Sequence, residues 1–141
     1  MNWITEHIAI GDRLDAHNVE LRERAGFRCV ISLDGSMTEV QALVLGYDDC
    51  ISAVLKDGPG NNIVQFKKLL RQLMDMVDSC PPVLVHCHAG RSRSVTLVAA
   101  YLSVRHSMTT VGAYRFIGQK RDICVTQGLE LLVDACRTNG R

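Results

Sequence analysis

The sequence predicts an α/β domain, a single compact unit over residues 1–141 with a mostly parallel or mixed central sheet flanked by helices. Three observations carry this. Short β-rich apolar runs alternate along the chain with segments whose apolar residues recur at helical spacing. One run, "VLVH" at 83–86, is apolar almost throughout, as a strand covered on both faces must be. The length of 141 residues suits one proper core, which buries roughly 70% of the unfolded surface.

The elements follow in order. "HIAIGD" alternates, with Ile8 and Ile10 on one face, and reads as a short strand. "DAHNVELRERAG" reads as one helix that stops at Gly26, a residue suited to the left-handed C-cap. "FRCVISLDG" is a strand closed by the turn pair Asp34-Gly35. Thr38 and Gln41 have the spacing of a capping box for a short helix. "ISAVL" at 51–55 reads as a strand, followed by the loop "KDGPGNN".

Asn61 is the expected cap of a long helix, whose stripe is Ile63, Phe66, Leu69, Leu70, Leu73, Met74 and Val77. Pro81-Pro82 ends that segment, and the 83–86 strand follows. "SVTLVAAYLSV" is apolar nearly all round, the mark of a buried central helix. Two more helices are expected at 109–120 and 127–137, the second with Leu129, Leu132, Val133 and Cys136 inward.

Composition narrows the function classes. The formal charge is +1, so no global field draws nucleic acid or a membrane surface, and attraction for anions has to be local. No signal peptide, transit segment or transmembrane span is read in the chain, so the expected address is the cytoplasm, where thiols stay reduced. The six cysteines form no C-x-x-C pair, which suggests neither a zinc site nor a disulfide framework. Cys29, Cys50, Cys80, Cys124 and Cys136 are read as packing residues.

The sixth cysteine stands in "VLVHCHAGRSRS", between a buried strand and a buried helix. Ligands collect at the carboxyl ends of strands, and a helix N-terminus there offers unpaired N–H groups to an anion. Gly90 lets the backbone curl so that the amides of His88, Ala89, Gly90, Arg91, Ser92 and Arg93 form an anion nest. Arg93, six residues after Cys87, can return a planar fork to the same centre. A thiolate in such a place has its pKa pulled well below the ordinary value of about 8.5. The implied object is a cup for a tetrahedral dianion, with a nucleophilic sulfur at its floor. A Cys-x5-Arg spacing alone is weak; with His86, Gly90 and Ser94 added, its chance occurrence falls to about one in several thousand.

"HCHAGRSRS" resembles the signature loop of the cysteine-dependent protein tyrosine phosphatase superfamily, and the small size and surroundings resemble its dual-specificity branch. "IAIGDRLDAHNVELRERAGFRCVISL" and "RDICVTQGLELL" are similar to that branch's opening and closing segments, so the likeness covers nearly the whole chain. The resemblance implies a phosphatase fold and four catalytic residues. Cys87 is the nucleophile, Arg93 the phosphate clamp, and Ser94 the hydroxyl that assists the departing thiolate. The fourth is a carboxylic acid from a mobile loop roughly thirty residues upstream, a distance that picks Asp57 in "KDGPGN". His86 is then the brace of the loop.

Alternatives remain beside these roles. Asp57 is also a natural turn residue before glycine. Asp48 and Asp49 precede their strand and belong at its far end. His88 and Arg91 are either ordinary polar rim or a more positive pocket mouth. Arg121 is either a second anion contact or a charge that compensates a helix C-terminus. Gln127 either positions the hydrolytic water or starts a helix in solvent.

The resemblance implies a metal-independent phosphomonoesterase without a cofactor, working as a monomer on phosphorylated proteins or peptides at tyrosine, serine and threonine. The alternative substrate is a phospholipid or inositol phosphate. Nucleic acid and a membrane span are not expected. Two further rivals are a phosphate-binding module without turnover and a sulfur-transfer or arsenate-reducing enzyme built on a similar loop.

Overall fold

The computed structural model describes residues 1–138. Five strands form one sheet in the order β1-β2-β5-β3-β4: β1 Asn2–Trp3, β2 Ile8–Gly11, β3 Cys29–Ser32, β4 Asp49–Ser52 and β5 Val83–His86. β1 is antiparallel to β2, and every other pairing is parallel. The short β1 ribbon has no signal in the sequence, because two residues are too few to show a period.

β5 lies in the middle, and all four of its residues are buried. Its register sets Gly11, His86 and Ser32 side by side at the carboxyl end of the sheet. The next residue in the chain is Cys87. The active-loop position therefore follows from pairing alone.

Side chains alternate between two helical layers. Ile8, Ile10, Cys29, Ile31, Val83 and Val85 join the core under helices α4 (Ile63–Ser79), α5 (Arg93–Arg105), α6 (Thr110–Gly118) and α7 (Glu130–Thr138). Ala9, Val30, Cys50 and Leu84 face the smaller layer, made by α1 (Arg13–Ala16), α2 (Val19–Ala25) and α3 (Glu39–Val44). Burying each large aliphatic side chain in these layers contributes roughly 1.5–3 kcal/mol. α5 is the hub of the larger layer, with Ser94 through Ser103 all buried. An amphipathic pattern is absent there because the helix has no solvent face to show.

Local chemistry sets the helix ends. Thr38 and Gln41 form the capping box reciprocally. Gly26 closes α2 at φ 77°, a left-handed position that glycine occupies without steric cost. The single helix expected from 15 to 26 is two helices instead, since Asn18 caps α2 and breaks the run after His17. α4 starts one residue later than expected, with Asn62 rather than Asn61 accepting from the Gln65 amide. Its Ile63 is exposed, outside the buried stripe. β4 begins two residues before the expected 51–55 strand and ends three earlier.

Two of the cysteines read as packing are joined by a disulfide, Cys29 to Cys80. Fifty-one residues separate them, so no local spacing betrayed the pair. The Pro81-Pro82 peptide bond is cis. Among the described residues, no helix is long and apolar enough to cross a membrane.

Candidate active site

The loop from Cys87 to Ser92 is shaped by what holds its carbonyls. The His86 Nδ1 lies 3.2 Å from the Cys87 oxygen; a carbonyl only accepts, so Nδ1 carries the proton. The Arg13 amide donates to His88 O at 3.1 Å, and the Cys124 amide to Arg91 O at 2.9 Å. Arg121 donates from Nη2 to Ala89 O and from Nε to Gly90 O. Thr96 reaches Ser92 O with both its amide and its hydroxyl. Every carbonyl in the loop is thus taken by a donor.

Fixing the carbonyls outward turns the amides inward, and the sulfur is where they converge. Burial alone pushes the Cys87 thiol pKa up, but the Ser94 hydroxyl and the amides of Ser94, Gly90 and Ser92 outweigh it. The pKa is held below its ordinary value. Ser94 Oγ sits 3.2 Å from Sγ, and both residues are buried. Gly90 makes the curl geometrically feasible at φ 68°. A Cβ there would lie 2.5 Å from both the Gly11 oxygen and Arg121 Nη2, so only glycine fits.

His86 is fully buried. Burial holds its pKa down, against the raising effects of the Cys87 carbonyl and the Asp34 charge, so the ring is neutral near pH 7.

A cavity of about 290 Å³ opens over the sulfur, lined by Asp57, Cys87, His88, Ala89, Arg91, Ser92, Arg93, Cys124 and Thr126. The structure therefore brings Cys87, Arg93 and Asp57 to one hollow, as the sequence expects. Arg93 begins α5 and gives Nη1 to the Leu55 carbonyl at 3.2 Å, which ties the loop to the segment that leads into Asp57. Asp57 Oδ1 accepts from Ser92 Oγ at 2.7 Å. The 56–60 turn is stitched by Asn61, whose amide group bonds Lys56 N, Lys56 O and Gly58 O. Asp49 starts β4 at the opposite end of its strand, and Asp48 pairs with Arg28.

Other expected residues are placed differently. Arg121 lies behind the loop and not in the cavity wall, with its guanidinium donating to Gly90 O, Ala89 O, Ile10 O and Asn2 Oδ1. Gln127 is exposed and absent from the cavity wall, where Thr126 stands instead. Arg91 is on the rim but pairs with Asp122 at 3.2 Å, which cancels part of the positive charge expected of it. Cys124, read as packing, is an exposed free thiol on the wall. Cys50 and Cys136 are buried, as packing residues should be. The sequence shows nothing of the side-chain parts of Ser92, Thr126 and Asn61; Asn61, the expected helix cap, stands one position before the cap Asn62.

The model of the dual specificity phosphatase catalytic domain matches residues 13–132, which takes in the loop, both walls of the hollow and six of the seven helices. The chain belongs to that family. It is 51% identical over 41 residues to dual specificity protein phosphatase 1 of Arabidopsis thaliana, a stretch covering 29% of this chain and 21% of that relative. Among solved structures, human DUSP28 superposes with a TM-score of 0.84 at 17% identity, covering 98% of this chain and 96% of that one. PTPMT1, solved also in complex with PI(5)P, gives 0.82 at 21% identity, covering 99% and 94%. At such identities the likeness is one of fold.

Proposed function

We propose that residues 1–141 act as one catalytic domain that hydrolyses phosphate monoesters of proteins through a cysteinyl-phosphate. The loop amides and the Arg93 fork hold the three equatorial oxygens, so the charge that develops is met by fixed dipoles and no metal is needed. Cys87 attacks phosphorus in line. Asp57 protonates the leaving oxygen and later takes a proton from the attacking water. Ser94, at 3.2 Å from Sγ, stabilises the thiolate as the intermediate breaks down.

The observation that carries this reading is the buried Cys87 sulfur, 3.2 Å from Ser94 Oγ, at the floor of a hollow that Arg93 and Asp57 share and around which every loop carbonyl is held outward. Family membership supports it. p-Nitrophenyl phosphate should be hydrolysed in EDTA and inhibited by vanadate, with activity abolished in Cys87→Ser. Binding of phosphate without turnover would leave only a recognition module, and turnover of thiosulfate or arsenate instead would point to the sulfur-transfer or arsenate-reducing class.

For substrate, the proposal is phosphotyrosine together with phosphoserine and phosphothreonine in proteins. The open hollow, with exposed His88, Ala89 and Arg91 along it, supports a site that short as well as long phosphorylated side chains reach. A lipid or inositol phosphate draws support from His88 and Arg91 on the rim, and the Arg91–Asp122 pair weakens that support. Turnover of a phosphotyrosyl peptide compared with phosphoinositides and phosphatidylglycerophosphate separates the two. A cytoplasmic setting belongs to the same proposal: a low-pKa thiolate persists where reductants keep it free, although the Cys29–Cys80 bond weighs the other way.

A further inference from the structure

Asp57 is exposed, yet it is held at one atom by a residue of the phosphate loop itself. Ser92 is 7% exposed and its hydroxyl has three neighbours. The Thr126 amide donates to Ser92 Oγ at 2.9 Å. An amide only donates, so the Ser92 proton points elsewhere, and of its two other partners Asp57 Oδ1 is at 2.7 Å and Thr126 Oγ1 at 3.3 Å. The shorter, charge-assisted bond takes the proton. A carboxylate only accepts, so the Ser92–Asp57 bond runs from the serine hydroxyl, whose oxygen also accepts from the Thr126 amide.

From this arrangement we propose that Ser92 is a positioning residue that assigns the two oxygens of Asp57 to different tasks. The inference rests on Asp57 being the acid. A protonated carboxyl has one carbonyl oxygen, the better acceptor, and one hydroxyl oxygen. With Ser92 donating to Oδ1, that oxygen takes the carbonyl role and the transferable proton is on Oδ2. Among the described residues Oδ2 accepts no hydrogen bond, which leaves it free for the leaving group. In the first step the Oδ2–H bond breaks, the proton goes to the departing alkoxide or phenolate, and the electron pair stays on Asp57. In the second step Oδ2 takes a proton back from water as the water oxygen bonds to phosphorus, and the P–Sγ bond breaks with its electron pair left on Cys87 as thiolate. Ser92 keeps its own proton throughout.

The neighbours hold the same register. A Cβ on Gly128 would lie 2.9 Å from Pro59 N, and Gly128 has φ 105°, so the acid turn lies against bare backbone. Asn61 closes the turn from within. Among the described residues, Ser92 is the one side chain that links this turn to the floor of the hollow by its hydroxyl.

The test is the dependence of kcat on the leaving group, with an alkyl phosphate that needs protonation set against difluoromethylumbelliferyl phosphate, which scarcely does. Asp57→Asn should lower the alkyl-to-aryl ratio of kcat by about 10²-fold, within the usual range of general acid catalysis. Ser92→Ala should lower the same ratio about tenfold in the wild-type background and leave it unchanged in the Asp57→Asn background, because the two act through one proton. Equal losses on both substrates, no change in the ratio, or an added loss in the double variant would overturn the inference. If Asp57→Asn itself spares the ratio, the acid assignment fails first, a result distinct from a failure of Ser92 alone.

Discussion

Cys87 and Cys50 are both buried thiols, yet they come from opposite layers of the sheet and ionise in opposite directions. Around Cys50 burial works together with the charges of Glu39 and Asp49, and the pKa is pushed up to about 11. Around Cys87 burial works in the same sense but is beaten by a hydroxyl and three amides. Cys136, buried without such donors, also moves up. Removing a thiol from water deactivates it; aiming N–H groups at it reverses the sign. The amides converge because each carbonyl of the loop is held the other way, by His86, Arg13, Arg121, Cys124 and Thr96.

That contrast breaks first at the sulfur. Cys87→Ser should cost at least about 10⁴-fold in kcat for p-nitrophenyl phosphate, whereas Cys50→Ser should stay within about twofold. Equal losses would end the distinction. Arg93→Lys keeps the charge and loses the fork, and should cost about 10²- to 10³-fold in kcat/KM.

A subtler test moves the ionisation without removing the nucleophile. Ser94→Ala deletes a hydrogen bond to a charged group, worth about 1.5–3 kcal/mol, and should raise the Cys87 pKa by about one to two units. Alkylation by iodoacetamide across pH 5–9, followed at the Cys87 peptide to keep it apart from the exposed Cys124, reads this, with Cys50 and Cys136 remaining unreactive until alkaline pH. The depressed pKa also bears on stability. The stabilisation from Cys87 is present above the ordinary thiol pKa and is lost as pH falls through the lower folded value.

The smallest effect asks whether the same rule holds for a carboxylate. Asp34 accepts from the Ser36 amide at 3.0 Å, the Ser36 hydroxyl at 2.6 Å and Arg13 Nε at 3.4 Å. Against the raising effect of burial, those Ser36 bonds first, then the His86 field and Arg13, hold its pKa at about 2, from 3.8. Its stabilising contribution is complete above pH 4 and disappears as pH falls through about 2. Asp34→Asn should lower the urea midpoint at pH 7 and flatten the decline between pH 4 and 2.

Much of this is legible in the sequence. Alternation exposes β2, the β-rich run closed by Asp34-Gly35 exposes β3, the apolar run exposes β5, and the strand–loop–helix order puts Cys87 at a carboxyl edge. Cys87 and Arg93 stand out because a phosphate cup needs those residue types at a set spacing, whereas Asp57 is picked only by the family resemblance, which implies an acid roughly thirty residues upstream. What stayed hidden depends on distances in space. Arg121 looks like a free cation in sequence; its partners Asn2 and Ile10 are more than a hundred residues away. Cys29 and Cys80 meet only once β3 and the end of α4 are packed. Ser92 reads as a backbone contributor, since the partners of its hydroxyl, Asp57 and Thr126, are more than thirty residues away along the chain.

The place of β5 has a mechanical consequence. A strand hydrogen-bonded along both edges and covered on both faces has no cheap way to open, so amide hydrogens at 84–86 should exchange with deuterium only when the whole molecule unfolds. The acid turn at 56–60, at the surface and fastened by a few side-chain bonds, should exchange by local fluctuation orders of magnitude sooner. Cys87, the proposed nucleophile, would then be bolted to the most rigid girder of the protein, and Asp57, the proposed proton donor, would hang from one of its looser parts.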